Sequence, residues 1–191
     1  MCTDAEKNLQ NALQTLRAGG VILYPPDTVW GIGCDATCHE AVERIFRLKQ
    51  RPDSKAMLLL VTDREMLGRH VREIPEAAER LLAKAMRPTT IIYSGAKGID
   101  PMLIAADGSV GIRIPDDSFC RALCRRLGHP LVSTSANISG QPAARCFAEI
   151  DRALIQGVDY LCTRRHGDPC DTPPSAIYKI LENNEILTIR E

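Results

Sequence analysis

The sequence has few aromatic residues and no long apolar run. Phenylalanine, tyrosine and tryptophan make up 4% of its 191 residues, which is few for a protein that binds single-stranded nucleic acid by stacking bases on aromatic rings. No stretch approaches the roughly 20 apolar residues that a membrane-spanning helix needs. No basic segment followed by an apolar one opens the sequence. These absences predict a cytoplasmic protein with no membrane role.

An excess of positive charge is absent too. Lysine and arginine together number 24, as do aspartate and glutamate. A protein whose main task is to grip nucleic acid usually shows a basic excess, so the balance disfavours that class. Positive charge is nevertheless concentrated in one short stretch, which contains Arg44, Arg47, Lys49, Arg51 and Lys55.

The common phosphate-binding and metal-binding fingerprints are missing. There is no G-x-x-x-x-G-K-[ST] loop, no G-x-G-x-x-G, and no C-x-x-C pair among the eight cysteines. Cys162, His166 and Cys170 form the one run that suggests zinc, but no second ligand pair follows them at metal-site spacing. Buried, reduced cysteine is the favoured alternative. No histidine stands in an evident catalytic triad, which favours chemistry by positioning and electrostatics.

Apolar runs and amphipathic segments alternate along the chain, which predicts one α/β domain over residues 1–191. Strands crowd the C-terminal end, so we expect a twisted, open, mixed sheet flanked by helices rather than a purely parallel one. A capping box at Thr37 and Glu40 is expected to open one helix, and Asp116 or Asp117 to cap another that ends at Gly128. The predicted strands are 21–24, 57–61, 89–93, 109–114, 131–134, 158–162, 176–181 and 186–189, and the predicted helices are 4–18, 37–51, 63–70, 75–86, 117–127 and 147–155.

Three polar segments lie at the ends of predicted strands, where α/β sheets collect ligands. They are 25–33 (PPDTVWGIG), 49–55 (KQRPDSK) and 133–140 (STSANISG). The cations of the second segment suit a polyphosphate, and the hydroxyl and amide groups of the third suit phosphate or ribose oxygens. Each segment also has a structural alternative, respectively a turn around a core Trp30, a solvated helix end, and a turn or helix cap.

Arg113 stands out because it lies inside an otherwise apolar strand. A guanidinium on a buried strand needs an anion. Either an internal carboxylate or the carboxylate of a substrate would supply it, and we favour the substrate.

In this order, the segments resemble those of a known family, the YrdC-like L-threonylcarbamoyladenylate synthases. The resemblance covers nearly the whole chain. It is to the short, single-domain form of the family, which lacks the second C-terminal domain of longer members. Five motifs carry it: 24–36 (YPPDTVWGIGCDA), 49–52 (KQRP) with Lys55, 111–115 (GIRIP), 133–140 (STSANISG) and 174–177 (PSAI).

The resemblance implies a nucleotidyltransferase that makes threonylcarbamoyl-AMP and pyrophosphate from L-threonine, bicarbonate and ATP with Mg²⁺. A transferase complex then uses the product to modify adenosine 37 of tRNA, and a weak contact with tRNA is also expected. The family fold surrounds a concave active-site cavity. By position, Lys49 and Arg51 are the catalytic, phosphate-binding residues. The nucleotide is further expected to contact Ser109, Ser135 and Asn137, and threonine to contact Thr28, Arg113, Ser133 and Ser175.

Two departures from the family pattern concern threonine. Pro26 stands where the family usually has a threonine that contacts the amino acid, and the strand with Leu58 lacks a histidine that some members carry. Two other functions are open: an RNA-binding module for double-stranded RNA or tRNA without catalysis, and a synthase that uses carbamoyl phosphate, as in hydrogenase maturation proteins.

Overall fold

Nine strands form one mixed sheet in the computed structural model, which describes residues 4–50, 57–167, 173–181 and 183–191. Along the sheet the order is β7-β1-β2-β6-β3-β5-β4-β8-β9. Three neighbouring pairs are parallel, β1 with β7, β3 with β5 and β4 with β8, and the other five are antiparallel. The strands are β1 (Ile22–Tyr24), β2 (Gly31–Gly33), β3 (Leu58–Leu60), β4 (Thr89–Tyr93), β5 (Val110–Arg113), β6 (Leu131–Ser135), β7 (Tyr160–Leu161), β8 (Ala176–Ile180) and β9 (Ile186–Arg190).

The helices cover the sheet with the faces that their apolar spacing predicts. Leu9, Leu13 and Leu16 of the first helix are buried, and that helix contacts the fifth. None of the helices in the described ranges is long and apolar enough to cross a membrane. They are α1 (Asp4–Arg17), α2 (His39–Leu48), α3 (Arg64–His70), α4 (Glu76–Lys84), α5 (Ser118–Leu127) and α6 (Arg152–Gly157), with short 3₁₀ turns at Pro101–Leu103 and Phe147–Glu149.

Local capping signals predict one helix correctly and another wrongly. The Asp117 side chain accepts a hydrogen bond from the Cys120 N–H, and Gly128 ends α5 with a φ of 82°, as expected of a glycine after a helix. The capping box at Thr37 is wrong, because Cys38 is the N-cap and its side chain makes no cap bond. Thr37 Oγ1 instead donates to Asp35 Oδ1 at 2.7 Å, so the hydroxyl bonds a residue that precedes it rather than the start of the helix.

The predicted helix 147–155 is also wrong in part. Its first half is a 3₁₀ turn, and the chain is extended at Ile150 before α6 begins. The Asp151 side chain caps α6 by accepting from the Ala153 N–H at 2.7 Å. A local side-chain bond thus divides an apolar pattern that, by spacing alone, suits one helix.

Strand β2 was not predicted, because Gly31 and Gly33 give it a composition that strands usually avoid. It forms because it pairs with β1 on one side and β6 on the other. At Gly33 a Cβ atom would collide with the main-chain carbonyl oxygen of Val132. The glycine therefore permits a close approach of backbones, which places the loop before β2 beside the end of β6.

Candidate functional site

A cavity of about 370 Å³ opens on the sheet, within the size range of small-molecule sites. Its walls come from the loop before β2, from β3, β4, β5 and β6, and from the segment that leads into β8. Six of the nine predicted site residues line it: Thr28, Ser109, Arg113, Ser133, Ser135 and Ser175. Residues from segments far apart in the sequence are thus brought to one place, as strand-end loops in α/β sheets allow.

Arg113 reaches this cavity from the end of β5, with only 2% of its surface exposed. Its Nη1 atom donates to Asp27 Oδ1, and its Nη2 donates to Thr28 Oγ1 at 3.3 Å. The Nε atom is buried and has no hydrogen-bond partner among the described residues. An internal carboxylate therefore balances the guanidinium, although the sequence favoured a substrate carboxylate. A donor is still available for a second acceptor.

Hydroxyl groups line the cavity in hydrogen-bonded pairs. Ser133 Oγ accepts from the Tyr24 hydroxyl at 2.8 Å, and burial raises the pKa of Tyr24 well above its usual value, so that phenol remains a neutral donor. The Oγ atoms of Thr90 and Ser175 lie 2.8 Å apart, both buried. Such pairs fix the serine rotamers and leave lone pairs or protons for a ligand.

Ser109 is held by charged neighbours at the cavity rim. Its Oγ donates to Asp107 Oδ1 at 2.5 Å, and the other oxygen of Asp107 accepts from Lys179 Nζ at 2.5 Å. These bonds, chiefly that from Lys179, hold the pKa of Asp107 below its usual range. The carboxylate therefore stays ionised and orients the serine.

Lys49 and Asn137 meet at the loop that follows β6, but neither lines the cavity. Lys49 is 1% exposed, and its Nζ donates to the main-chain carbonyls of Ser135 and Asn137. Ser135 Oγ donates to Asn137 Oδ1 at 2.5 Å, and Asn137 Nδ2 donates to the Gln141 carbonyl at 2.6 Å. The lysine and the amide thus shape the loop that carries Ser135. Arg51, the other predicted phosphate-binding residue, and Lys55 lie outside the described residues.

Sequence reasoning gave no role to three residues that belong to this site. Asp27 lies in the first polar segment and pairs with Arg113. Thr90 reads as a plain strand residue, and Arg190 of β9 donates two bonds to the Ser175 carbonyl, at 3.0 and 2.8 Å. Their partners are distant in the sequence, so no local pattern reveals them.

The cysteines do not form a metal site in the part of the chain that is described. Over those ranges no group of three or more histidine, cysteine, aspartate or glutamate side chains could hold a metal ion. His166 Nε2 lies 2.6 Å from the Cys162 carbonyl, while Cys170 falls outside the described residues. Burial raises the pKa values of Cys124 and Cys162 to about 12, so both are neutral thiols.

The chain belongs to the Sua5/YciO/YrdC family, because the family model with the description "Telomere recombination" matches residues 14–191. The resemblance found in the sequence is therefore confirmed. The chain is 41% identical over 157 residues to a threonylcarbamoyl-AMP synthase of Stenotrophomonas maltophilia. The match covers 81% of this chain and 84% of the relative. To the enzyme of that name from Marinobacter nauticus it is 34% identical over 190 residues, covering 96% and 97%.

Solved structures of the family share the fold. Escherichia coli YciO superposes with a TM-score of 0.83 at 28% identity, covering 97% of this chain and 89% of that one. Pyrococcus abyssi Sua5, solved with L-threonine, gives a TM-score of 0.82 at 24% identity. The chain spans 53% of the Sua5 chain, so it corresponds to about half of that longer protein. The prediction of a single-domain α/β fold with a mixed sheet flanked by helices is confirmed.

Proposed function

We propose that this protein is an L-threonylcarbamoyladenylate synthase, a nucleotidyltransferase that combines L-threonine, bicarbonate and ATP. One observation carries the proposal: six residues that the family motifs single out line one cavity. Relatives that match nearly the full length of the chain and bear that enzyme's name support it. Their names favour catalysis over an RNA-binding module.

ATP is expected to lie against the wall made by Ser109 and Ser135. Their hydroxyls are oriented by Asp107 and Asn137, so they are fixed before the nucleotide arrives, and preorganised donors lose little entropy on binding. Lys49 holds the Ser135 loop in place, and its charge lies behind the main-chain carbonyls that it binds. Arg51 is proposed to contact the phosphates directly, because the donors of its planar guanidinium match the geometry of phosphate oxygens.

Threonine is expected to place its carboxylate at Arg113, whose Nε donor is unused among the described residues. Thr28, Ser133 and Ser175 surround the same part of the cavity and offer hydroxyls to the amino acid. Pro26, where the family usually has threonine, brings no hydroxyl. Its carbonyl accepts from Arg165 Nη1 at 2.9 Å, so the loop keeps its path without a side-chain bond from residue 26.

The proposed chemistry is the one that the family resemblance implies. The neutral threonine amine attacks the carbon of bicarbonate, and water leaves as the new C–N bond replaces a C–O bond, which gives N-carboxythreonine. The carboxylate of N-carboxythreonine then attacks the α-phosphorus of ATP, and pyrophosphate leaves. Donors aimed at the phosphates stabilise the charge that develops there. Mg²⁺ enters as part of the ATP substrate. It binds largely through phosphate oxygens and water in such sites. Two carboxylates near the cavity are already engaged, Asp107 by Lys179 and Asp27 by Arg113.

Four further expectations remain predictions from the sequence. They are transfer of the product's threonylcarbamoyl group to adenosine 37 of tRNA, a separate transferase complex as the partner, a weak tRNA contact, and a cytoplasmic location. Tight RNA binding that is lost steeply with salt, without ATP turnover, would instead support the RNA-binding module.

The direct test is to incubate the protein with ATP, Mg²⁺, bicarbonate and one amino acid at a time, and to measure pyrophosphate. We expect release that depends on L-threonine and exceeds that with serine or valine. Arg51→Ala should reduce it by about 10- to 150-fold, the loss of one hydrogen bond to a charged group. The control Lys84→Ala, at an exposed position on α4, should leave it unchanged. Pyrophosphate release that ignores threonine would refute the proposal.

A further inference from the structure

We propose that Asp27 is a positioning residue for amino-acid binding. Its carboxylate fixes the guanidinium of Arg113 so that the Nε and Nη2 atoms face the carboxylate of the substrate. The inference rests on the proposed function, because it requires that Arg113 bind the amino acid. It assigns a task to a side chain that does not line the cavity itself.

Both oxygens of Asp27 are used at the end of β5. Oδ1 accepts from Arg113 Nη1, and Oδ2 accepts from the main-chain N–H of Asp116 at 2.9 Å. The side chain of Asp27 is 13% exposed. A carboxylate bound at both oxygens cannot turn without losing one of the two bonds, so it is a fixed anchor for Nη1.

Anchoring Nη1 leaves one edge of Arg113 for a ligand. The guanidinium is planar, and its Nε–H and one Nη2–H point in the same direction, at a spacing that matches the two oxygens of a carboxylate. Among the described residues Nε has no partner, and the bond that Nη2 donates to Thr28 Oγ1 is long, at 3.3 Å. This Nε/Nη2 edge is therefore the part of Arg113 best placed to take a second carboxylate.

Asp27 acts from behind this edge. Arg113 and Thr28 line the cavity, whereas Asp27 lines a neighbouring groove together with Asp116 and Arg121. Asp27 also balances the charge of Arg113 while no substrate is bound, and an uncompensated charge at so buried a position is costly. The same carboxylate thus stabilises the empty site and sets the direction of the donors.

The test compares Asp27→Asn with the wild type. The amide keeps the shape but loses the charge, and it cannot accept hydrogen bonds at both of its polar atoms. We expect the KM for threonine to rise about tenfold, with kcat and the KM for ATP within about twofold, and Asp27→Glu to restore the threonine KM to within about threefold of the wild type. Equal rises for ATP and threonine would show structural damage and overturn the inference. A lower threonine KM would show that Asp27 competes with the substrate, and would overturn it too.

A double-mutant cycle tests whether Asp27 acts through Arg113. Threonine dissociation constants are measured by calorimetry for the two single variants, Asp27→Asn and Arg113→Lys, and for the double variant. If the effect passes through Arg113, Asp27→Asn changes the dissociation constant by less than about twofold in the Arg113→Lys background. An undiminished effect in that background contradicts the inference.

A measurement on the wild type keeps the inference testable if Asp27→Asn does not fold. An anchored guanidinium rotates slowly about its Nε–Cζ bond, so the ligand-free protein should show separate Nη proton signals for Arg113, assigned by their loss in Arg113→Lys. Added threonine should shift the Nε–H signal. A single averaged Nη signal in the ligand-free protein would overturn the inference. If the wild type made no pyrophosphate with threonine, the proposed function would fail instead, which is a separate result.

Discussion

The Nζ atom of Lys49 donates a hydrogen bond to the main-chain carbonyl of Asn137 at 2.6 Å. Lys49, the first residue of the basic segment, is thus joined to the loop after β6 by a buried ammonium that also binds the Ser135 carbonyl. The Ser139 N–H in turn donates to the Lys49 carbonyl at 2.8 Å. Lys49 and the loop with Ser135, both expected from the sequence to contact ATP, are therefore bonded directly to each other.

Lys49→Met should lower both stability and turnover. Removing the ammonium deprives two carbonyls of a donor at a part-buried site, which costs about 1–3 kcal/mol. Each kcal/mol lowers the Tm by roughly 2–4 °C in a chain of this size. The loop that carries Ser135 is then released, so turnover falls as well. Thermal unfolding and pyrophosphate release measure the two effects, with Lys84→Met as the exposed control. Lost turnover at an unchanged Tm would mean that Lys49 acts on the phosphates alone.

Ser175→Ala should weaken threonine binding. It removes a hydroxyl that lines the cavity and leaves Thr90 Oγ without this partner. A lost neutral hydrogen bond of about 1 kcal/mol corresponds to a roughly fivefold rise in the threonine KM. The matched control is Ser94→Ala, at an exposed position just after β4. A threonine KM equal to that of the wild type would place Ser175 outside the amino-acid site.

Pro26→Thr should strengthen threonine binding if the departure from the family pattern has a cost. Arg165 holds the main-chain carbonyl of residue 26, and this bond does not depend on the proline ring. The added hydroxyl is worth about 1 kcal/mol, or roughly a fivefold lower threonine KM. Pro26→Val is the control, because valine has nearly the shape of threonine but no hydroxyl. Equal threonine KM values for the two variants would show that other groups already make the contact that the added hydroxyl would supply.

Two histidines should make stability depend on pH in opposite directions. Burial lowers the pKa of His70, so His70 takes up a proton more readily in the unfolded chain than in the folded one. The contribution of neutral His70 to the stability of the fold is therefore present above about pH 6.5 and is lost as the pH falls. The hydrogen bond to Asp100 raises the pKa of His39, so its contribution is present below about pH 6.5 and is lost as the pH rises through the higher folded value.

Thermal unfolding between pH 5 and 8 checks both signs. The Tm of His70→Gln should fall less than that of the wild type as the medium is acidified. The Tm of His39→Gln should lie below that of the wild type at pH 5 and approach it at pH 8. Parallel curves for the wild type and both variants would contradict these assignments.

The sequence predicts this fold well wherever a local pattern decides the structure. The apolar run of β3, the cap at Asp117 and the glycine end at Gly128 each depend on residues close together in the chain, and all three are correct. Strand β2 was missed because its pairing with β1 and β6 outweighs the low strand propensity of its glycines. Thr37 was misjudged because Asp35 takes its hydroxyl.

The candidate site is predictable as a set of residues, but not as a set of contacts. Family motifs name six residues that line the cavity. They do not show that Asp27 balances Arg113, or that Lys49 binds main-chain carbonyls, because these partners lie 86 and 88 residues apart. Arg113 needed an anion on physical grounds, and only the fold determines which carboxylate is near enough.

The most direct test of synthase activity is to follow the carbon of bicarbonate into the product. The protein is incubated with ATP, Mg²⁺, L-threonine and ¹³C-bicarbonate, and the AMP adduct is analysed by mass spectrometry. We predict threonylcarbamoyl-AMP, heavier by the single labelled carbon and formed only when threonine is present. An unlabelled adduct of threonine and AMP, or no adduct from folded protein, would contradict this activity.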